Sequence, residues 1–169
     1  MRNNSFLEQK LRIFLDGPFS DMETPNALKI HFGRRARRRF GSIKMSRDKQ
    51  VTIITINGLF RDESIPEQII HATIAHELCH YAHGFSSPLP KKYKYPHQGG
   101  VIAKEMQVRG LQDLFIFEKA WTKQNWRRVL QVEFPQQKRR ALRRPLRRPK
   151  SKKMSLKLIL NYLKPGLII

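Results

Sequence analysis

The stretch TIAHELCHYAHG, residues 73–84, decides how the rest of the chain is read. It places three of the chain's six histidines, His76, His80 and His83, within eight residues, around Glu77 and the sole cysteine, Cys79. A specified His-Glu-x-x-His arises by chance in roughly one in several hundred chains of this length. Its meaning depends on whether it lies on a helix, because only there do residues i and i+4 share a face. The flanks say that it does. Ser64-Ile65-Pro66-Glu67 reads as a helix start, with Ser64 and Glu67 spaced for a capping box and a proline in the first turn. From Glu67 to His83 no breaker intervenes, and Gly84 falls where a helix C-terminal glycine belongs.

On that helix His76 and His80 can turn both imidazoles to one point about 2.0–2.1 Å from each nitrogen, the usual zinc distance. Glu77, beside the first histidine, is placed to meet a water at the metal and to accept its proton. His83 shares the face with His76, but seven residues of helix put them about 10.5 Å apart along the axis, too far to share one ion. A compact pattern closing six residues after His80 needs a histidine at position 86, where Ser86 stands. Two candidates for a third ligand remain. His97, in YPHQGG, is preferred because neighbouring glycines let backbone approach a site closely. Glu105, on a following helix, is the alternative. A purely structural zinc prefers four protein ligands with cysteine among them. Cys79 lies about 100° around the helix from His80 and reads instead as a small buried residue.

Outward from this helix the chain reads as α+β. A first helix is marked by Phe6, Leu7, Leu11, Phe14 and Leu15, with Asn4 or Ser5 as its cap and Gly17-Pro18 as its stop. Ala27–Phe32, Gly41–Met45 and Val51–Asn57 are strand-like, the last two joined by a polar turn at Arg47–Gln50. Residues 86–96 form a loop with three prolines, Val101–Arg109 a helix closed by Gly110, and Phe115–Leu130 a further helix carrying Trp121 and Trp126. The expected fold is a small sheet of about three strands packed on the histidine helix and flanking helices.

The chain has 169 residues, 34 Lys+Arg against 13 Asp+Glu, a net charge of +21 and a pI near 10.9. Such a charge draws polyanions through counterion release, with an anionic membrane surface as the competing partner. Residues 135–169 hold QQKRRALRRPLRRPKSKK and are expected to form a disordered basic tail, with a short helix at Met154–Leu163. Arg139, Arg140, Arg143 and Arg144 in this tail are candidate nucleic-acid contacts. So are Arg34, Arg35, Arg37, Arg38 and Arg39 in GRRARRRFG, residues 33–41, since arginine forks match phosphate oxygens. Neither cluster carries base-reading features, so the binding expected is non-specific. One cysteine excludes an internal disulfide framework. No run is long and apolar enough to span a bilayer, so no membrane insertion is expected. A cytoplasmic monomer is expected, nucleoid-associated in a bacterial cell.

TIAHELCHYAHG together with PHQGGVIAKEMQVRGL resembles the SprT-like family of zinc metallopeptidases, to which the eukaryotic protease Spartan belongs. RRFGSIKM and ITINGLF are similar to that family's strands ahead of the metal helix, and the resemblance covers about Leu7 to Trp126. It implies a compact zincin-like domain over residues 1–134, Zn(2+) held by His76, His80 and His97, and Glu77 as catalytic base. His97 matches the family's third ligand, with Gln98 inserted before the glycine. The implied activity is an endopeptidase acting on proteins near or bound to nucleic acid. Many members add a Cys-rich zinc ribbon that a chain with one cysteine cannot build, and here a basic segment takes its place. A basic nucleic-acid-binding module with a structural, non-catalytic zinc is the alternative. The two differ in the ligand set, three protein ligands and a water for catalysis, four protein ligands for structure.

Overall fold

The structure is a computed structural model that describes residues 1–135. The chain divides into a compact unit, Met1–Pro135, and a second segment, Gln136–Ile169. The expected tail, its four arginines and the Met154–Leu163 helix lie outside the described residues.

The compact unit is α+β, with four α-helices and one three-stranded mixed sheet. Helix α1 spans Asn4–Asp16 and buries Leu7, Leu11 and Phe14, residues three and four apart on one stripe. Its cap is Asn3, whose side chain accepts from the Phe6 amide at 3.0 Å. The cap expected at Asn4 or Ser5 lies one or two residues earlier. The Asn4 side chain instead accepts from the Phe32 amide at 3.0 Å and ties α1 to the sheet.

Strands β1 (Ala27–Phe32), β2 (Gly41–Met45) and β3 (Val51–Ile56) follow in sequence but are ordered β1-β3-β2 in space. β3 is central. It pairs in parallel with β1, Ala27 opposite Val51, and antiparallel with β2, Gly41 opposite Ile56. Its alternation buries Thr52, Ile54 and Ile56 on one face, the period-two signature of a half-buried strand. The β2–β3 turn is closed by Asp48, whose carboxylate accepts from the Gln50 amide, with Lys49 at φ +60°. β2 is left as an edge.

Helix α2 (Glu67–Ala82) runs through the middle of the unit. Nearly every side chain from Ile69 to Ala82 is buried, because the sheet covers one side and α3 (Val101–Val108) and α4 (Gln112–Glu133) cover the other. A helix enclosed on both sides in this way buries its polar side chains, Thr73, Glu77 and His80, along with its apolar ones. The capping box expected at its start does not form. The Ser64 amide donates to the Asp62 carboxylate at 2.9 Å, Pro66 takes the cap position, and Glu67 pairs with Lys10 of α1. Gly84 ends α2 with φ +78°, and a Cβ there would collide with the Pro90 carbonyl. α4 begins three residues before the expected Phe115 and ends three beyond Leu130. It has no fully buried residue and packs through one stripe. There Trp126 meets Phe40 edge-on at 4.7 Å, and Phe40 in turn meets Phe60 at 5.2 Å.

Candidate metal centre

α2 sets His76 and His80 one turn apart on one face, with ring centroids 4.8 Å apart. The segment after Gly84 returns past the end of α2 and brings His97 to both, at 5.4 Å from His76 and 4.7 Å from His80. One ring nitrogen from each of the three lies within 4.8 Å of the others, the only such donor cluster among the described residues. Tetrahedral ligands 2.0–2.1 Å from one ion sit about 3.4 Å apart, so small side-chain rotations bring this set to a common centre. His76 is half-buried, His80 buried and His97 exposed, which leaves one side open to solvent. Nδ1 of His80 is buried with no hydrogen-bond partner among the described residues, an orphan that invites a ligand or a bound water. Three imidazoles with an open fourth position suit zinc, and no thiolate or carboxylate competes within the cluster.

Burial lowers the His76 pKa to about 4, helped by His97 beside it. Burial, then the positive charges that His76, His97 and His83 would carry, lowers that of His80 to about 3. Both imidazoles are therefore neutral at pH 7, the form that binds a metal. Glu77, 6% exposed, is pushed the other way, to about 7, by burial. Gly41, first residue of β2, lies so close that a Cβ there would come within 2.7 Å of Glu77 Oε1 and of Thr73 Cγ2. Here glycine is a matter of space. The sequence shows a glycine opening a strand, which is common, and gives no sign that a carboxylate lies against it.

Glu105 does not join the cluster. Its Oε2 lies 3.1 Å from His83 Nε2, and its Oε1 accepts from Arg109 Nε at 2.8 Å. Burial alone would raise its carboxyl; hydrogen bonds from His83 and Arg109 outweigh that and hold it below the usual range. Cys79 is fully buried and its thiol is pushed up to about 12, the behaviour of a packing residue.

The cleft has two halves that share Gly41, His76, Glu77 and His97. One, about 400 Å³, is walled by Arg38, Arg39 and Phe40 and by Glu118 and Thr122 of α4. The other, about 540 Å³, runs along the β2 edge at Ser42 and Ile43 towards Phe85, Lys91 and Pro96. Arg34, Arg35, Arg37, Arg38 and Arg39 are all exposed on the segment between β1 and β2. That segment is built around the buried Asn57 side chain, which donates to the carbonyls of Ala36 and Arg39 and accepts from the Ala36 amide. Trp126 Nε1 donates to the Arg37 carbonyl, Arg35 pairs with Glu133, and the Arg37 guanidinium lies over Phe134 at 4.5 Å. The arginine run and the histidine motif, separate in sequence, thus share one cleft wall through Arg38 and Arg39. Phe85, Glu118 and Thr122 carried no sequence signal for this site, since each looks like an ordinary loop or helix residue. No protein-family model, curated protein or solved structure matches this chain.

Proposed function

We propose that the chain is a zinc-dependent endopeptidase in which His76, His80 and His97 hold the metal and Glu77 is the general base. The observation that carries the reading is the gathering of three imidazole nitrogens beside a buried carboxyl at the floor of an open cleft. Bound zinc would supply Lewis acidity, polarising a carbonyl and lowering the pKa of water towards neutrality. Glu77, its carboxyl near neutrality by burial, accepts the proton of the attacking water and returns it to the leaving amine. The β2 edge beside Gly41 offers unpaired backbone groups to which an extended polypeptide can add, and this favours an unfolded protein segment as substrate. Arg38 and Arg39 in the cleft wall, within a chain of charge +21, favour proteins that sit on nucleic acid. The SprT-like resemblance of residues 73–111 points the same way. A structural zinc would want a fourth protein donor, and Cys79 is buried away from the three histidines.

Glu77→Gln tests this. The amide keeps size and some hydrogen bonding but takes no proton at neutral pH, so cleavage of casein should fall by about a hundredfold or more. Zinc content, read by metal analysis, should stay near one per chain. A variant that keeps its zinc and cleaves at the wild-type rate removes the mechanism.

A further inference from the structure

The third histidine of the motif, His83, touches no metal-candidate nitrogen and is nevertheless wholly buried. It sits at the C-cap of α2 and binds three ways. Its Nε2 meets Glu105 of α3, which is itself held by Arg109, and Arg109 donates to the Pro18 carbonyl at 2.7 Å and pairs with Asp21. Its carbonyl accepts from the Lys92 amide at 3.1 Å. Its ring meets the Tyr93 ring edge-on at 4.8 Å. Beside it, the Pro90 carbonyl lies against the Cα of Gly84, a position no Cβ would allow. The segment that carries His97 is therefore fastened at residues 90–93 to a residue fixed in the core.

We propose that His83 and Tyr93 are positioning residues for His97, a latch that holds the third imidazole where His76 and His80 can share an ion with it. The inference rests on the three-histidine metal reading. Its size follows from loop closure. Between His83 and His97 lie thirteen residues, 84–96; with Tyr93 fastened, three remain, 94–96. Closure entropy scales as three-halves of the logarithm of loop length, so the whole latch, the Tyr93 ring contact and the Lys92 bond together, is worth about tenfold in metal affinity. The polar partner of the His83 ring is Glu105, whose other oxygen is held by Arg109, and this explains why Glu105, at ligand-like spacing in the sequence, serves the site without binding the ion.

Cobalt(II) titration followed by its d–d absorption, with zinc affinity read by competition, tests this on the full chain. Tyr93 is 39% exposed, so Tyr93→Ala should leave the thermal midpoint of the metal-free protein within about a degree or two of wild type. It should weaken cobalt and zinc measurably, by up to about tenfold where the Lys92–His83 bond is lost with the ring, while the spectrum at saturation stays that of the wild type. Tyr93→Phe, which keeps the ring, should restore wild-type affinity. His97→Ala should change the spectrum itself, because a ligand is removed. Tyr93→Ala binding cobalt as tightly as wild type overturns the latch and leaves the metal reading standing. Wild-type protein that binds neither cobalt nor zinc overturns both. A changed spectrum in Glu105→Ala, with Tyr93→Ala silent, would make Glu105 a ligand and end the latch as well.

Discussion

Glu77 and the two helix histidines are titratable groups whose pKa values burial pulls in opposite directions. In the metal-free protein the folded Glu77 titrates near 7 against an ordinary 4.5. The stability it contributes is present at low pH and is lost as pH rises from about 4.5 through about 7. His76 and His80 titrate near 4 and 3 against 6.5, so their contribution is present above pH 6.5 and is lost as pH falls through that window. Two groups oppose one between about pH 4.5 and 6.5, and the balance is a loss on acidification. Chelated protein should therefore melt highest near pH 6.5, fall steeply towards pH 4 and fall only slightly up to pH 7. Thermal unfolding across that range checks it, and a midpoint that stays level from about pH 6.5 to about 4 would mean the imidazoles are not buried neutral. Added zinc should raise the midpoint most near neutrality, where it does not compete with protons.

At the level of elements, the histidine helix was legible nearly to the residue, because an apolar run without breakers followed by glycine leaves few alternatives. The three strands were legible too, and for the same local reason. Their pairing was not. The parallel β1–β3 partnership, with β2 returned to the edge, joins residues too far apart in sequence for any local window to hold both. Ser64 failed as a cap because Asp62 reached its amide first and Lys10, from another helix, claimed Glu67. The site was half legible. His97 could be named as a ligand candidate from spacing and glycines, whereas Glu105 was separated from it only by the hydrogen bonds to His83 and Arg109. Asn57 was read as the end of a strand, yet its side chain organises the arginine segment. Asn57→Ala strips partners from the Ala36 and Arg39 carbonyls and the Ala36 amide, and should cost about 2–4 kcal/mol of stability. Denaturant unfolding measures that cost. Affinity for DNA should fall with it under conditions where the variant remains folded, since Arg38 and Arg39 lose their fixed backbone. An unchanged midpoint would mean that water replaces the side chain.

For the whole molecule the question is how the charge is divided. Twelve of the 34 lysines and arginines, and none of the 13 acids, lie after Pro135, so residues 1–135 hold 22 basic and 13 acidic side chains, a net +9. Both parts are basic enough to meet a polyanion, and the first places Arg38 and Arg39 beside the candidate catalytic cleft. Affinity and positioning are then separable. Cutting the chain after Pro135 removes the run from Lys138 to Lys153 and keeps every core residue of the described unit, so the shortened protein should fold and retain its zinc. Its affinity for single- or double-stranded DNA should drop. The slope of log affinity against log salt should become shallower by about 0.7 to 0.9 for each phosphate that is no longer neutralised. Base sequence should change little in either form, because arginine bonds to phosphate carry no sequence information. In the shortened protein, charge reversal at Arg38 and Arg39 should then remove most of the remaining DNA response of peptidase activity. Unchanged affinity and slope after truncation would move the anchor to Arg34–Arg39. Loss of all binding on truncation would leave the cleft arginines without a nucleic-acid role. Failure of the intact chain to bind DNA at low salt would set the charge to some other anionic surface, with the proposed peptidase site untouched.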